Sequence, residues 1–233
     1  MNSGPLLFLG LFVSMAVSWA AFILAPQLQL GNLEPAKTVS VTSVPVDYPN
    51  NLPGMARQGA EVYRASGCAY CHTEQVRPAN LGSDLARGWG IRRSVAHDYI
   101  FDQTLLLGDQ RIGPDLANAG SRMDANAVLA RLWDPRNPQP GSIMPPYRYL
   151  FDVRKIGRAP STNALVVPPQ FAAPAGYEII PRPPALALAA YVANLRQDNY
   201  LFEVPPPPSA IPAGTNAPGT NAAPANPTNA PAK

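Results

Sequence analysis

The chain has two cysteines, Cys68 and Cys71, set three apart in Gly-Cys-Ala-Tyr-Cys-His, residues 67 to 72. Two thiols on one helical turn can each add to a vinyl group on one edge of a porphyrin. His72, next along that turn, then faces the iron. The spacing therefore predicts a covalently attached c-type haem.

Three other uses of a cysteine pair compete with that reading. A thioredoxin-like dithiol needs a βαβ setting, and the histidine would be incidental. A structural zinc site needs four ligands, and the one remaining histidine, His97, cannot complete a tetrahedron alone. A disulfide across so short a loop would constrain little of the unfolded chain.

Positions 6 to 25, LLFLGLFVSMAVSWAAFILA, form an uncharged apolar run of bilayer-spanning length. Small residues Ala20, Ala21 and Ala25 could mimic the cleavage site of a signal peptide. Against that, Met-Asn-Ser-Gly-Pro carries no Lys or Arg, and the run exceeds the roughly 7 to 15 residues of a signal core. A retained transmembrane anchor over 5–26 is expected. Charge does not orient it, because the first lysine is Lys37. Since c-type haems are attached outside the bacterial cytoplasm, residues 26 onward are expected on the periplasmic side of the inner membrane.

An extended linker is expected over 27–52, where Val39 and Val41 alternate in strand fashion but Pro45 interrupts. Pro53 suits the first turn of a helix, and Gly59, Val62, Tyr63 and Ser66 recur at helical spacing before Cys68. Asp124 can cap a second helix ending at Trp133, before Pro135. A third is expected from about Pro184 to Gln197, with Leu188, Tyr191, Val192 and Leu195 as its apolar stripe. The fold class expected is all-α: one transmembrane helix, then a helical domain over 53–203 with a long loop at about 152–183. The Pro/Ala/Asn-rich tail, 204–233, has the composition of a disordered segment.

A net charge of +3 and scattered basic residues do not suggest nucleic-acid binding. Arg92 and Arg93 read as a solvated surface or a haem propionate contact. Arg77, Trp89 and Arg148 are further propionate candidates, with ordinary surface contacts as the alternative. Met144, in Gly-Ser-Ile-Met-Pro-Pro-Tyr, sits in a loop whose two prolines fix the backbone, so its thioether can be presented at a set position. It is the main candidate for the sixth iron ligand, against the plain role of filling a gap under a loop. His97 is the alternative ligand. Methionine ligation favours ferrous iron and closes the position where oxygen would bind, so electron transfer, with no catalytic site of the chain's own, is the expected role.

In order of elements the chain resembles a class I cytochrome c, with Gly59 and Tyr63 on a first helix that crosses a last helix holding Tyr191 and Leu195. That resemblance gives Gly113-Pro114-Asp115-Leu116 a role: the Pro114 carbonyl would orient the proximal histidine, where otherwise the tetrapeptide is a simple turn. The phrases GAEVYRASGCAYCHTEQVRP, RIGPDLANAGSR and LWDPRNPQPGSIMPPYRYLF, over about 59 to 151, resemble the monohaem subunit (subunit II) of cbb3-type haem-copper cytochrome c oxidases. The resemblance implies that Cys68 and Cys71 hold one haem c and that His72 and Met144 ligate its iron. It also implies partners: a large membrane subunit with haem b and copper, other cytochrome c subunits of the same complex, and the lipid bilayer. An anchored monohaem cytochrome of another complex such as nitric oxide reductase, a free electron shuttle, and a haem peroxidase or sensor are the alternatives.

Overall fold

The computed structural model describes residues 3–39, 45–137 and 139–204. Its first element, α1 (Gly4–Leu30), is a 27-residue helix whose most apolar 18-residue stretch has mean hydropathy 2.3 and is not buried against the rest of the chain. At about 1.5 Å per residue it measures about 40 Å, longer than the roughly 30 Å hydrocarbon layer. Residues Ala20–Leu24 widen into a π turn just before Pro26. The cause is local: the proline has no N–H to offer, and its ring pushes away the Phe22 carbonyl four residues back.

The stretch after α1 is more ordered than an extended linker. Strands β1 (Ala36–Val39) and β2 (Pro45–Tyr48) pair antiparallel, with Ala36 opposite Tyr48. Pro45 does not break the pairing because it occupies the first position of its strand, where a missing N–H is tolerated. The end of this hairpin is fixed to the domain. The Tyr48 hydroxyl donates to Asp98 at 2.6 Å, and Asp98 accepts two bonds from Arg92, at 2.6 and 3.0 Å. Arg92 and Asp98 side chains are both fully buried, so the expectation of a solvated or propionate-binding Arg92 is corrected. Burial of such a pair is tolerated because Arg92 also donates to the carbonyls of Asn199 and Arg93. Only residues 31 to 35 then separate the end of α1 from β1.

Three helices build the domain. Helix α2 (Gly54–Ala65) crosses α4 (Pro183–Asn194), and the two share the core's central contact. The crossing needs Gly59: a Cβ there would meet the Ala187 carbonyl oxygen at 1.9 Å. Beside it the Tyr63 and Tyr191 rings meet edge to face, 5.4 Å between centroids. Helix α3 (Ala125–Trp133) starts at Asp124, whose carboxylate accepts the Ala127 N–H at 2.8 Å, and buries Val128, Leu129, Leu132 and Trp133. Helix α4 ends sooner than its stripe suggests. Leu195 caps it, and its carbonyl accepts the Gly120 N–H.

The expected all-α class does not hold as stated. Besides β1 and β2, strands β3 (Phe151–Lys155) and β4 (Tyr177–Pro181) form a second antiparallel pair, Phe151 opposite Pro181, inside the stretch expected as a long loop. Phe151, Ile179 and Ile180 are buried, and Phe151 packs edge to face on Trp133 at 5.5 Å. Burial of those three side chains outweighs the weak local signal of two five-residue strands. The tail from 205 lies outside the described residues.

Candidate haem site

The attachment turn follows α2 directly. Gly67, at φ 72°, ends the helix in the left-handed region that glycine favours, and Cys68–Tyr70 continue as a 3-10 turn. The N–H groups of Cys71 and His72 both donate to the Cys68 carbonyl, at 3.1 and 3.0 Å, which gathers the two thiols and the imidazole on one turn. Both cysteines are free. Burial raises the Cys68 thiol to about 11, so it stays protonated, and the Tyr147 hydroxyl stands beside it.

His72 is held from the other side. Its Nδ1 lies 2.7 Å from the Pro114 carbonyl oxygen. A carbonyl can only accept, so Nδ1 carries the proton and Nε2 keeps its lone pair for a metal. Burial lowers the His72 pKa, with the Pro114 bond opposing, which favours the neutral ring a metal requires. Gly113 lies flat against the imidazole, where a Cβ would come within 2.3 Å of Cε1. Gly108, at φ 77°, passes equally close to the His72 carbonyl. Neither glycine was singled out for this purpose by sequence reasoning, although Gly113 belongs to the Gly-Pro-Asp-Leu tetrapeptide.

Met144 is partly buried against the same apolar cluster that contains Cys68, Leu116, Leu129, Leu132 and Leu188, with Met123 and Tyr147 also packed on it. Its loop is pinned by the Tyr147 N–H, which donates to the Leu132 carbonyl at the end of α3, 2.8 Å. Met123 is engaged by Arg131 at 2.9 Å. His97 pairs with Glu203 at 2.7 Å. The propionate candidates have protein partners: Arg77 bonds Asp84, Arg148 bonds Asp134 and lies over Trp133, and the Arg87 and Arg111 guanidinium groups both lie over the Trp89 ring. Among the described residues no group of three His, Cys, Asp or Glu side chains could hold a metal ion.

The fit to a haem is therefore specific in its parts. There is a thiol pair on one turn, an imidazole whose Nδ1 bonds a carbonyl, and a thioether loop bordering the apolar cluster that also takes in Cys68. Such a set has the chemistry to hold a haem. The chain belongs to the family described as cytochrome c oxidase, mono-heme subunit/FixO, whose profile matches residues 10–174. No curated protein matches the chain. Family membership implies one haem, and makes the chain a component of a cytochrome c oxidase that works beside other subunits. The apolar α1 fits a single-pass membrane anchor.

Proposed function

We propose that the chain carries one haem c, bound through Cys68 and Cys71 and ligated by His72 and Met144, and passes electrons to a haem-copper oxidase subunit of the cbb3 type. The observation that supports this most is the 2.7 Å contact between His72 Nδ1 and the Pro114 carbonyl, made by a histidine that shares its turn with both thiols. The haem supplies reversible one-electron chemistry, and the chain's residues hold and tune it. Pro114 orients the imidazole and increases its donor strength. Leu116, Leu132 and Leu188 share a buried apolar cluster with Cys68 and would limit water there. Met144 would offer a neutral, soft sulfur, which would favour the ferrous state and disfavour peroxide chemistry. Anchored in the inner membrane with the domain over 53–203 on the periplasmic side, the chain has no catalytic site of its own.

The short tether favours a fixed subunit over a free shuttle. Residues 31 to 35 span roughly 20 Å even when fully extended, because each step covers about 3.4 Å. A domain so held meets partners at one height above the membrane.

Mild-detergent purification followed by a pyridine haemochrome assay tests the assignment: haem b, haem c and copper should appear together. A preparation with haem c alone, no copper and no large apolar subunit would refute the oxidase role. Met144→Ala should change the ferric spectrum and let the ferrous protein bind carbon monoxide. An unchanged ferric spectrum would remove Met144 as a ligand.

A further inference from the structure

Pro114 cannot hold itself in place. Proline has no backbone N–H, so the carbonyl that meets His72 is positioned only by its neighbours. On one side the Gly113 N–H donates to the Cys71 carbonyl at 2.8 Å. On the other side stands Asp115, fully buried. Its Oδ2 accepts the Thr73 hydroxyl at 2.7 Å and the Gln75 N–H at 2.8 Å, while its Oδ1 accepts the Ala117 N–H at 3.0 Å. The Arg111 guanidinium is 3.7 Å away, and the Leu116 N–H donates to the Thr73 carbonyl at 2.7 Å. One side chain thus fastens residues 73 and 75, just past His72, to residues 115 and 117, just past Pro114.

We infer that Asp115 is a positioning residue for electron transfer: it holds the Pro114 carbonyl in register with His72 Nδ1 and thereby sets the donor strength of the imidazole. The inference rests on the haem reading above. A bond from Nδ1–H to a carbonyl makes the ring a stronger donor and favours ferric iron, so loosening it raises the reduction potential. In Asp115→Asn the amide can accept on only one side, and its NH2 then faces N–H or O–H groups that need an acceptor. Charge alone would also raise the potential of that variant, so Thr73→Val, which keeps the carboxylate and removes one bond to it, is the necessary companion.

The test uses the full-length holoprotein in detergent, with redox titration and exchange of the His72 Nδ1 proton followed by NMR in the ferrous state. Asp115→Asn should shift the redox equilibrium toward ferrous iron about tenfold, ~59 mV for one electron, and speed Nδ1 proton exchange about tenfold. Thr73→Val should move both in the same direction by less, and Thr73→Ser should stay near wild type. A lower melting temperature with unchanged potential and exchange would overturn the inference in favour of a purely structural role. A potential shifted in Asp115→Asn but not in Thr73→Val, with Nδ1 exchange unchanged in both, would overturn it in favour of charge alone. If Asp115→Asn does not fold, Thr73→Val decides the matter. A wild-type protein without haemochrome would refute the haem reading instead, and Nδ1 exchange in the haem-free variants would still report whether Asp115 positions Pro114.

Discussion

Replacing Gly59 by alanine tests the helix crossing that carries the domain. Alanine in a helix interior normally gains about 1 kcal/mol over glycine, so an uncontacted site would be stabilised. Here the added Cβ would lie 1.9 Å from the Ala187 carbonyl oxygen, 2.6 Å from its carbon and 2.7 Å from Tyr191 Cβ. Two of those atoms are backbone and cannot swing aside, so α2 and α4 must part by about 1.5 Å to restore an ordinary contact of 3.4 Å or more. Overpacking of this kind costs about 1–3 kcal/mol. Parting the helices also loosens the Tyr63–Tyr191 pair, which contributes about 0.5–1.5 kcal/mol. After the propensity gain, the expected net loss is about 2 kcal/mol, or about 4–8 °C in melting temperature for a domain of this size. Thermal melts of the full-length protein in detergent, followed by circular dichroism and haem absorbance, measure it. Gly54→Ala, also on α2 but with open space around its Cβ, is the control and should be neutral or slightly stabilising. If Gly59→Ala melts with the control, the close crossing is wrong.

Two further perturbations address charge. Arg92→Met strands the buried Asp98 carboxylate and should cost about 3–5 kcal/mol in chemical denaturation; Lys37→Met, at the exposed Lys37–Asp47 pair, should cost well under 1 kcal/mol. Equal effects would refute the buried pair. Burial raises the Asp84 carboxyl, but bonds from Arg77 and Arg111 outweigh it and hold the group at about 2. A depressed folded-state pKa stabilises above the unfolded value near ~4, so this contribution, on the order of 1–2 kcal/mol, is lost as pH falls from about 4 to 2. Asp84→Asn should flatten the stability profile in that window; an unchanged acid limb would contradict the assignment.

Local chemistry was legible in the chain because its signals are short-ranged. The single turn over 68–72, the Asp124 cap and the apolar helix α1 each depend on residues a few positions apart, and the structure forms all three. The second sheet was not legible. Phe151 and Pro181 are thirty positions apart, Pro and Gly punctuate the stretch between them, and neither strand is long enough to show a clear period. Arg92 looked like surface because its burial depends on Asp98, Tyr48 and the Asn199 carbonyl, which come from three separate stretches.

By itself the sequence determined which groups are available: a thiol pair with an adjacent histidine, a loop methionine fixed by two prolines, and an apolar segment long enough to cross a membrane. Those follow from covalent spacing and side-chain chemistry, which folding does not alter. Tertiary structure decided which groups meet. Only packing could bring the Pro114 carbonyl to His72 across forty-two positions, bury Asp115 between two strands of chain, and fasten Tyr48 to Asp98 so that the linker becomes a short tether. Contacts at that separation carry no periodic signature, and they form because the buried polar groups must find partners once water is excluded.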